Sequence, residues 1–214
     1  MIKTDNKVVA ISENQINDAV NTLTLAFEKD PFHRYVFENH LKHYRTLEQI
    51  LFKYLTVVKF KHSQNILGVT RDNKLMGIAN IESPEYKESF WKSYISPDVS
   101  SLLLQMILVS GLVPAYRLIK YSQLIGAKKP KKPHFYLVAL GVNPQGHGQG
   151  YGKSLLNHLH ELSQHHPTSV GVALDTANPD NVPLYEHFGY KVISKETFGK
   201  VNLWCMFRAN KNER

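Results

Sequence analysis

The chain has 214 residues, 43% of them hydrophobic, with a formal net charge of +8. That length suits a single domain, residues 1–214, and the hydrophobic share is ordinary for a globular protein. A single cysteine, Cys205, excludes an internal disulfide framework, fits a reducing cytoplasmic setting and reads as a small core hydrophobe.

The first residues, Met1 to Lys7, show no apolar signal region. Val8 to Ile11 reads as a strand. Ile16, Val20, Leu23 and Phe27 recur at helical spacing, and Asp30-Pro31 is expected to end that helix. Leu41, Tyr44, Leu47, Leu51, Tyr54 and Leu55 mark a longer helix. Ile66 to Thr70 and Leu75 to Ile81 flank a turn composition, Arg71-Asp72-Asn73-Lys74, and predict a hairpin. Ser83 to Ser100 is polar and aromatic and predicts a long loop with a short helix. Residues 101–125 are expected to be helical, broken near Gly111 and Pro114. The apolar run Leu102 to Val113 is too short to span a bilayer and reads as a core or substrate-gate helix. Strand 134–142, helix 150–164, strand 169–175, helix 181–187 and strands 190–196 and 201–208 follow. The early hairpin, the late alternation and the final strand pair predict an α/β fold. Its sheet is mixed, with helices on both faces.

The stretch Val142 to Leu156 carries the clearest chemistry. Gly146, Gly148, Gly150 and Gly152 alternate between an apolar strand and a leucine-rich helix. Such a turn aims free backbone N–H groups at one spot and adds the positive end of a helix dipole, a fit for phosphate. A Rossmann G-x-G-x-x-G is absent in every register. A Walker A loop would end on Gly152-Lys153-Ser154, but its first glycine position holds His147. Only about sixty residues follow, too few to build onward from a first strand.

Val142, Pro144, His147, Gly150, Gly152, Leu155 and Leu156 match Val-x-Pro-x-x-[Gln/Arg]-x-x-Gly-x-[Gly/Ala] followed by a Leu-Leu helix. This resembles the acetyl-CoA pyrophosphate loop of the GNAT superfamily of N-acetyltransferases. His147 stands where that family usually has Gln or Arg. A second register, Gln145-x-x-Gly148-x-Gly150, matches literally but puts the proline and the leucines out of step. Leu174 to Tyr190 resembles the second GNAT signature, a strand, a loop Asn, a Leu-Tyr-Glu helix and Phe-Gly-Tyr. Asn181-Val182-Pro183-Leu184-Tyr185-Glu186, the closing 203–208 and the early 26–32 are similar to the puromycin N-acetyltransferase-like branch. Residues 85–130 carry no resemblance and are expected to be a substrate-side insertion.

The resemblance implies a GNAT fold with a mixed, mostly antiparallel central sheet, and acetyl transfer from acetyl-CoA to a primary amine, more readily of a small molecule than of a protein. It implies coenzyme contacts from Leu140, Gly141, Val142, His147, Gly148, Gln149, Gly150, Tyr151, Gly152, Lys153, Asn178, Asn181 and Tyr185. Tyr185 matches the family's tyrosine near the sulfur, where a phenol can protonate a departing thiolate. A general base is less apparent. Strand 135–140 carries no acid, and Glu82, Asp175, His134 or water are the candidates. A coenzyme-binding sensor without catalysis and a protein N-acetyltransferase are the rivals.

The cluster Lys128, Lys129, Lys131 and Lys132 is broken by Pro130 and Pro133 and lacks interleaved aromatics. It reads as a solvated basic loop before it reads as an attractant for coenzyme A, and nucleic acid is not expected. No metal is expected either. His158-x-His160 does not share a helix face and is expected at the surface. No membrane attachment is expected, and a homodimer is compatible with the sequence.

Overall fold

A computed structural model describes residues 6–61, 66–72, 74–85 and 97–211. Seven strands form one sheet in the order β1-β2-β3-β4-β5-β7-β6. They are β1 (Val8–Ala10), β2 (Ile66–Arg71), β3 (Lys74–Glu82), β4 (Phe135–Val142), β5 (Gly171–Thr176), β6 (Lys191–Phe198) and β7 (Val201–Ala209). β4 and β5 are parallel and every other pair is antiparallel. This is the mixed, mostly antiparallel arrangement expected.

The helices are α1 (Ile16–Phe27), α2 (Pro31–Val36), α3 (Tyr44–Lys61), α4 (Pro97–Ser110), α5 (Leu112–Lys128), α6 (Tyr151–His165) and α7 (Asn181–His187). α6 lies on one face of the sheet. Its Leu155, Leu156 and Leu159 are buried with Leu137, Val172 and Leu174, each contributing roughly 1.5–3 kcal/mol by leaving water. α1 to α5 cover the other face. Leu23 of α1 packs with Phe52 of α3 and Ala139 of β4, while Leu47, Leu102 and Ile125 bring α3, α4 and α5 together over Tyr136 and Ala173.

Three expectations need correction. Asp30-Pro31 ends no helix. α1 has already stopped at Phe27, and Asp30 instead caps α2, its carboxylate accepting from the His33 amide at 3.0 Å with Pro31 in the first turn. Leu41 lies outside α3, in a 3-10 turn, and is exposed. Gly111 does break the helical run, with φ at 68°, but Pro114 sits in the first turn of α5 and interrupts nothing. Of the long loop expected at 83–100, residues 86–96 lie outside the described residues, and Pro97 already begins α4.

Candidate active site

β4 and β5 pair only over Phe135–Val172, Tyr136–Ala173 and Leu137–Leu174. Beyond that rung β5 continues along β7 alone, while β4 continues along β3. The parting has a local cause. Against β3, Leu137 pairs with Ile81 and Ala139 with Asn80, so Val138 is an extra residue, a β-bulge. From the bulge to Val142, β4 has no strand neighbour on its β5 side among the described residues. Leu140, Gly141 and Val142 therefore line an opening. Gly141 also lets α1 come close, because a Cβ there would meet the Ala26 Cβ at 2.9 Å.

The opening leads to the glycine loop. Pro144–Gly146 form a 3-10 turn capped by Asn143, whose side chain accepts from the Gln145 amide at 3.0 Å. Tyr151 folds back over Gly146, where a side chain would collide with its ring at 2.8 Å, and donates to Gln149 Oε1 at 3.1 Å. Gly148 and Gly150 have φ of 76° and 83°, left-handed values that favour glycine. Gly150 is the residue preceding α6, and its carbonyl takes the Ser154 amide at 2.9 Å. Among the described residues, the amides of Gly148, Gly150, Tyr151, Gly152 and Lys153 have no acceptor. Five such N–H groups at a helix start form a seat for an anion. His147 is exposed on the loop. Arg71, the last residue of β2, donates to Gln149 Oε1 at 2.6 Å and brings a cation to the rim, which the sequence did not foretell.

On the other side of the opening, the β5–α7 loop is tied at Thr176. Its Oγ1 accepts from the Asn178 amide and from Asn181 Nδ2, each at 3.2 Å. Asn178 Oδ1 is occupied by the Asp180 amide at 3.1 Å. Tyr185 is half-buried, edge-on to Tyr190 with centroids 5.6 Å apart. Burial, and then the Asp175 charge, push its pKa up to about 12. Its hydroxyl has no hydrogen-bond partner among the described residues and stays protonated at neutral pH.

The base candidates fall in different settings. Glu82 is gripped by Lys59 and, at 3.0 Å, by Lys129. Burial alone would raise its pKa, but the two ammonium groups outweigh that and hold it low, which makes it a weak proton acceptor. Asp175 is the first β5 residue past the last rung with β4. It accepts from the hydroxyls of Tyr121 on α5, at 2.5 Å, and Tyr136 on β4. Burial raises its pKa against the pull of those donors. His134 donates from Nδ1 to the Lys132 carbonyl at 2.8 Å, and burial lowers its pKa.

Several groupings escaped the sequence because they join distant segments. Tyr121 and Tyr136 meet on Asp175 from two elements. A buried trio links α2 to α3, with His33 Nδ1 3.2 Å from Glu48 Oε1 and the Tyr44 hydroxyl donating to the same oxygen at 2.7 Å. His160 is not at the surface as expected. It falls four residues after Leu156 on the inward face of α6 and is buried, with Nε2 3.0 Å from the Tyr190 hydroxyl. Nor is the lysine cluster simply solvated, since Lys128 pairs with Glu196 at 2.8 Å and Lys129 with Glu82. Cys205 is buried, and burial pushes its thiol up to about 11. Among the described residues no group of His, Cys, Asp or Glu is placed to hold a metal ion, and no helix is long and apolar enough to cross a membrane. A cavity of about 870 Å³ between α1, α3 and α4 is lined by residues such as Asn17, Gln49 and Leu102, and by none of the site residues above.

Known structures share this fold. A Corynebacterium glutamicum structure, described as a histone acetyltransferase HPA2 and related acetyltransferase, superposes with a TM-score of 0.66 at 15% identity, covering 97% of this chain and 98% of that one. Arylalkylamine N-acetyltransferase 2 from Aedes aegypti gives 0.59 at 13%, covering 96% and 99%. The PaiA N-acetyltransferase of Thermoplasma acidophilum, solved in complex with coenzyme A, gives 0.52 at 12%, covering 95% and 98%. At these identities the likeness establishes the fold. The sequence profile of an acetyltransferase (GNAT) domain matches residues 48–206, well over half of the chain. The protein belongs to the GNAT acetyltransferase family.

Proposed function

We propose that this protein transfers acetyl from acetyl-CoA to a primary amine of a small molecule by direct attack on the thioester. The observation that carries this reading is the opening between β4 and β5, with five free amides on the glycine loop that follows β4 and Tyr185, protonated, on α7, the helix that follows β5. The pyrophosphate sits on the amides of Gly148, Gly150, Tyr151, Gly152 and Lys153. The pantetheine arm runs past Leu140, Gly141 and Val142, with Asn178 and Asn181 facing it across the gap. His147, Gln149 and Arg71 border the phosphates.

The amine nitrogen attacks the thioester carbonyl carbon, the C–S bond breaks, and Tyr185 gives its proton to the departing thiolate. The ammonium proton passes to Asp175, directly or through water; afterwards Asp175 gives that proton to solvent and Tyr185 takes one back, so the enzyme returns to its starting state. Asp175 suits this better than Glu82, whose charge is already neutralised by Lys59 and Lys129. A small acceptor is favoured by the similarity of residues 181–186 to the aminonucleoside-modifying branch, with the α4–α5 insertion lining its pocket.

Release of free thiol from acetyl-CoA, followed against a panel of small amines and of peptide N-termini, tests this reading. Amine-dependent release with small acceptors supports it. Release with peptides alone would redirect it to proteins. Tight coenzyme binding with no release on any acceptor would leave a sensor.

A further inference from the structure

Helices α4 and α5 are apolar on two opposite faces. The inward face of α4 buries Val99, Leu102 and Met106, and that of α5 buries Pro114 and Ile125. A surface helix needs only that one stripe. Yet Leu104 and Leu108, one turn apart, project from the far side of α4, with Leu108 75% exposed. Leu112, Val113, Tyr116 and Ile119 do the same on α5, with Leu112 70% and Tyr116 61% exposed. All six residues are at least 51% exposed, which puts their combined surface on the order of the roughly 800 Å² that each partner gives to a standard interface.

Charge separates the occupants. A helix that docks on an anionic bilayer carries Lys and Arg beside its apolar face. α4 has neither residue. On α5, Arg117 turns inward to the Tyr35 carbonyl at 2.5 Å and Glu38 at 2.7 Å, and Lys128 is paired with Glu196. That leaves Lys120, whose ammonium lies 5.7 Å from the Tyr116 ring centroid. An apolar centre poor in charge, rimmed by the exposed Gln105 and Gln123, is the anatomy of a protein interface. Leu104–Leu108 and Leu112–Tyr116 are ridges of i, i+4 spacing, and such ridges pack into identical grooves of a copy turned about a twofold axis.

We propose that the outer face of α4 and α5 is the interface of a twofold homodimer of this chain. Sedimentation velocity of the full chain at micromolar concentration tests it, with Leu108→Glu and Tyr116→Glu as interface variants and Leu41→Glu, at an exposed position outside these helices, as control. The expected result is a parent species of twice the chain mass. Each interface variant should raise the dissociation constant by at least about tenfold with an unchanged far-ultraviolet circular dichroism spectrum, and the control should match the parent. A parent that stays monomeric at a hundredfold higher concentration overturns the proposal. So does a dimer that both interface variants leave intact, and so does a monomer that co-sediments with phosphatidylserine vesicles.

Discussion

Leu137 and Leu174 form the last rung between β4 and β5, and the next residue of β4, Val138, is the bulge that turns the strand away. One extra residue thus opens a parallel pair in the middle of a seven-stranded sheet. The glycine loop lies beyond one arm of the opening, and Asp175 starts the other.

The glycine loop makes the first prediction. Gly150 has φ of 83°, a conformation that costs a β-branched residue about 1–3 kcal/mol. Gly150→Val should weaken acetyl-CoA binding at least about tenfold while the fold survives. At Gly152 an added Cβ meets only ordinary contacts, Val142 at 3.5 Å and Leu140 at 3.7 Å. Gly152→Ala should leave stability unchanged, so any loss of affinity there reports crowding against the ligand. Calorimetric titration giving parent affinity for Gly150→Val contradicts the cradle.

Tyr185 is the second. Tyr185→Phe keeps the edge-on packing with Tyr190 and removes the proton donor. Coenzyme affinity should hold, while single-turnover transfer slows by roughly 10²-fold. The loss should shrink with acyl thioesters whose thiolates leave unaided. Equal rates would make Tyr185 a packing residue.

Asp175 sets a pH dependence. Burial raises its pKa above the ordinary carboxylate range. As a base it works ionised, so kcat/KM should fall as pH drops through that raised value. Asp175→Asn should be slow and lack this acidic limb. A variant that retains the limb would show that Asp175 only anchors Tyr121 and Tyr136.

His160 sets another, for stability. Burial, and then Arg208, lower its pKa to about 4 from an ordinary 6.5. A histidine depressed in the folded state takes up protons first when unfolded, so its contribution is complete above about pH 6.5 and drains away as pH falls toward 4. The loss is on the order of 3 kcal/mol. Urea unfolding of the parent and of His160→Gln, which still accepts from Tyr190, should diverge in slope across that window. Parallel curves contradict the assignment.

What the sequence disclosed was local. The alternating glycines of 146–152 and the leucine spacing of 155–159 define their strand, turn and helix within one window. The hairpin, the late strands and helices and the sheet type followed the same way. Asp30 was misplaced because Asp-Pro both stops a helix and caps the next, and only the end of α1 at Phe27 decides between them. Glu82 stood among the base candidates because Lys59 and Lys129 reach it from segments 23 and 47 residues away. The Val138 bulge left no trace, since it exists only in register with β3.

Transfer of labelled acetyl in a single turnover tests the central claim most directly. Enzyme is mixed with labelled acetyl-CoA and an accepted amine, and protein and amine are followed by mass spectrometry. The account predicts label passing from coenzyme to amine, at a rate that depends on Tyr185, with none held covalently on the protein. Label accumulating on the protein before the amine, or coenzyme bound without transfer to any amine, would contradict it.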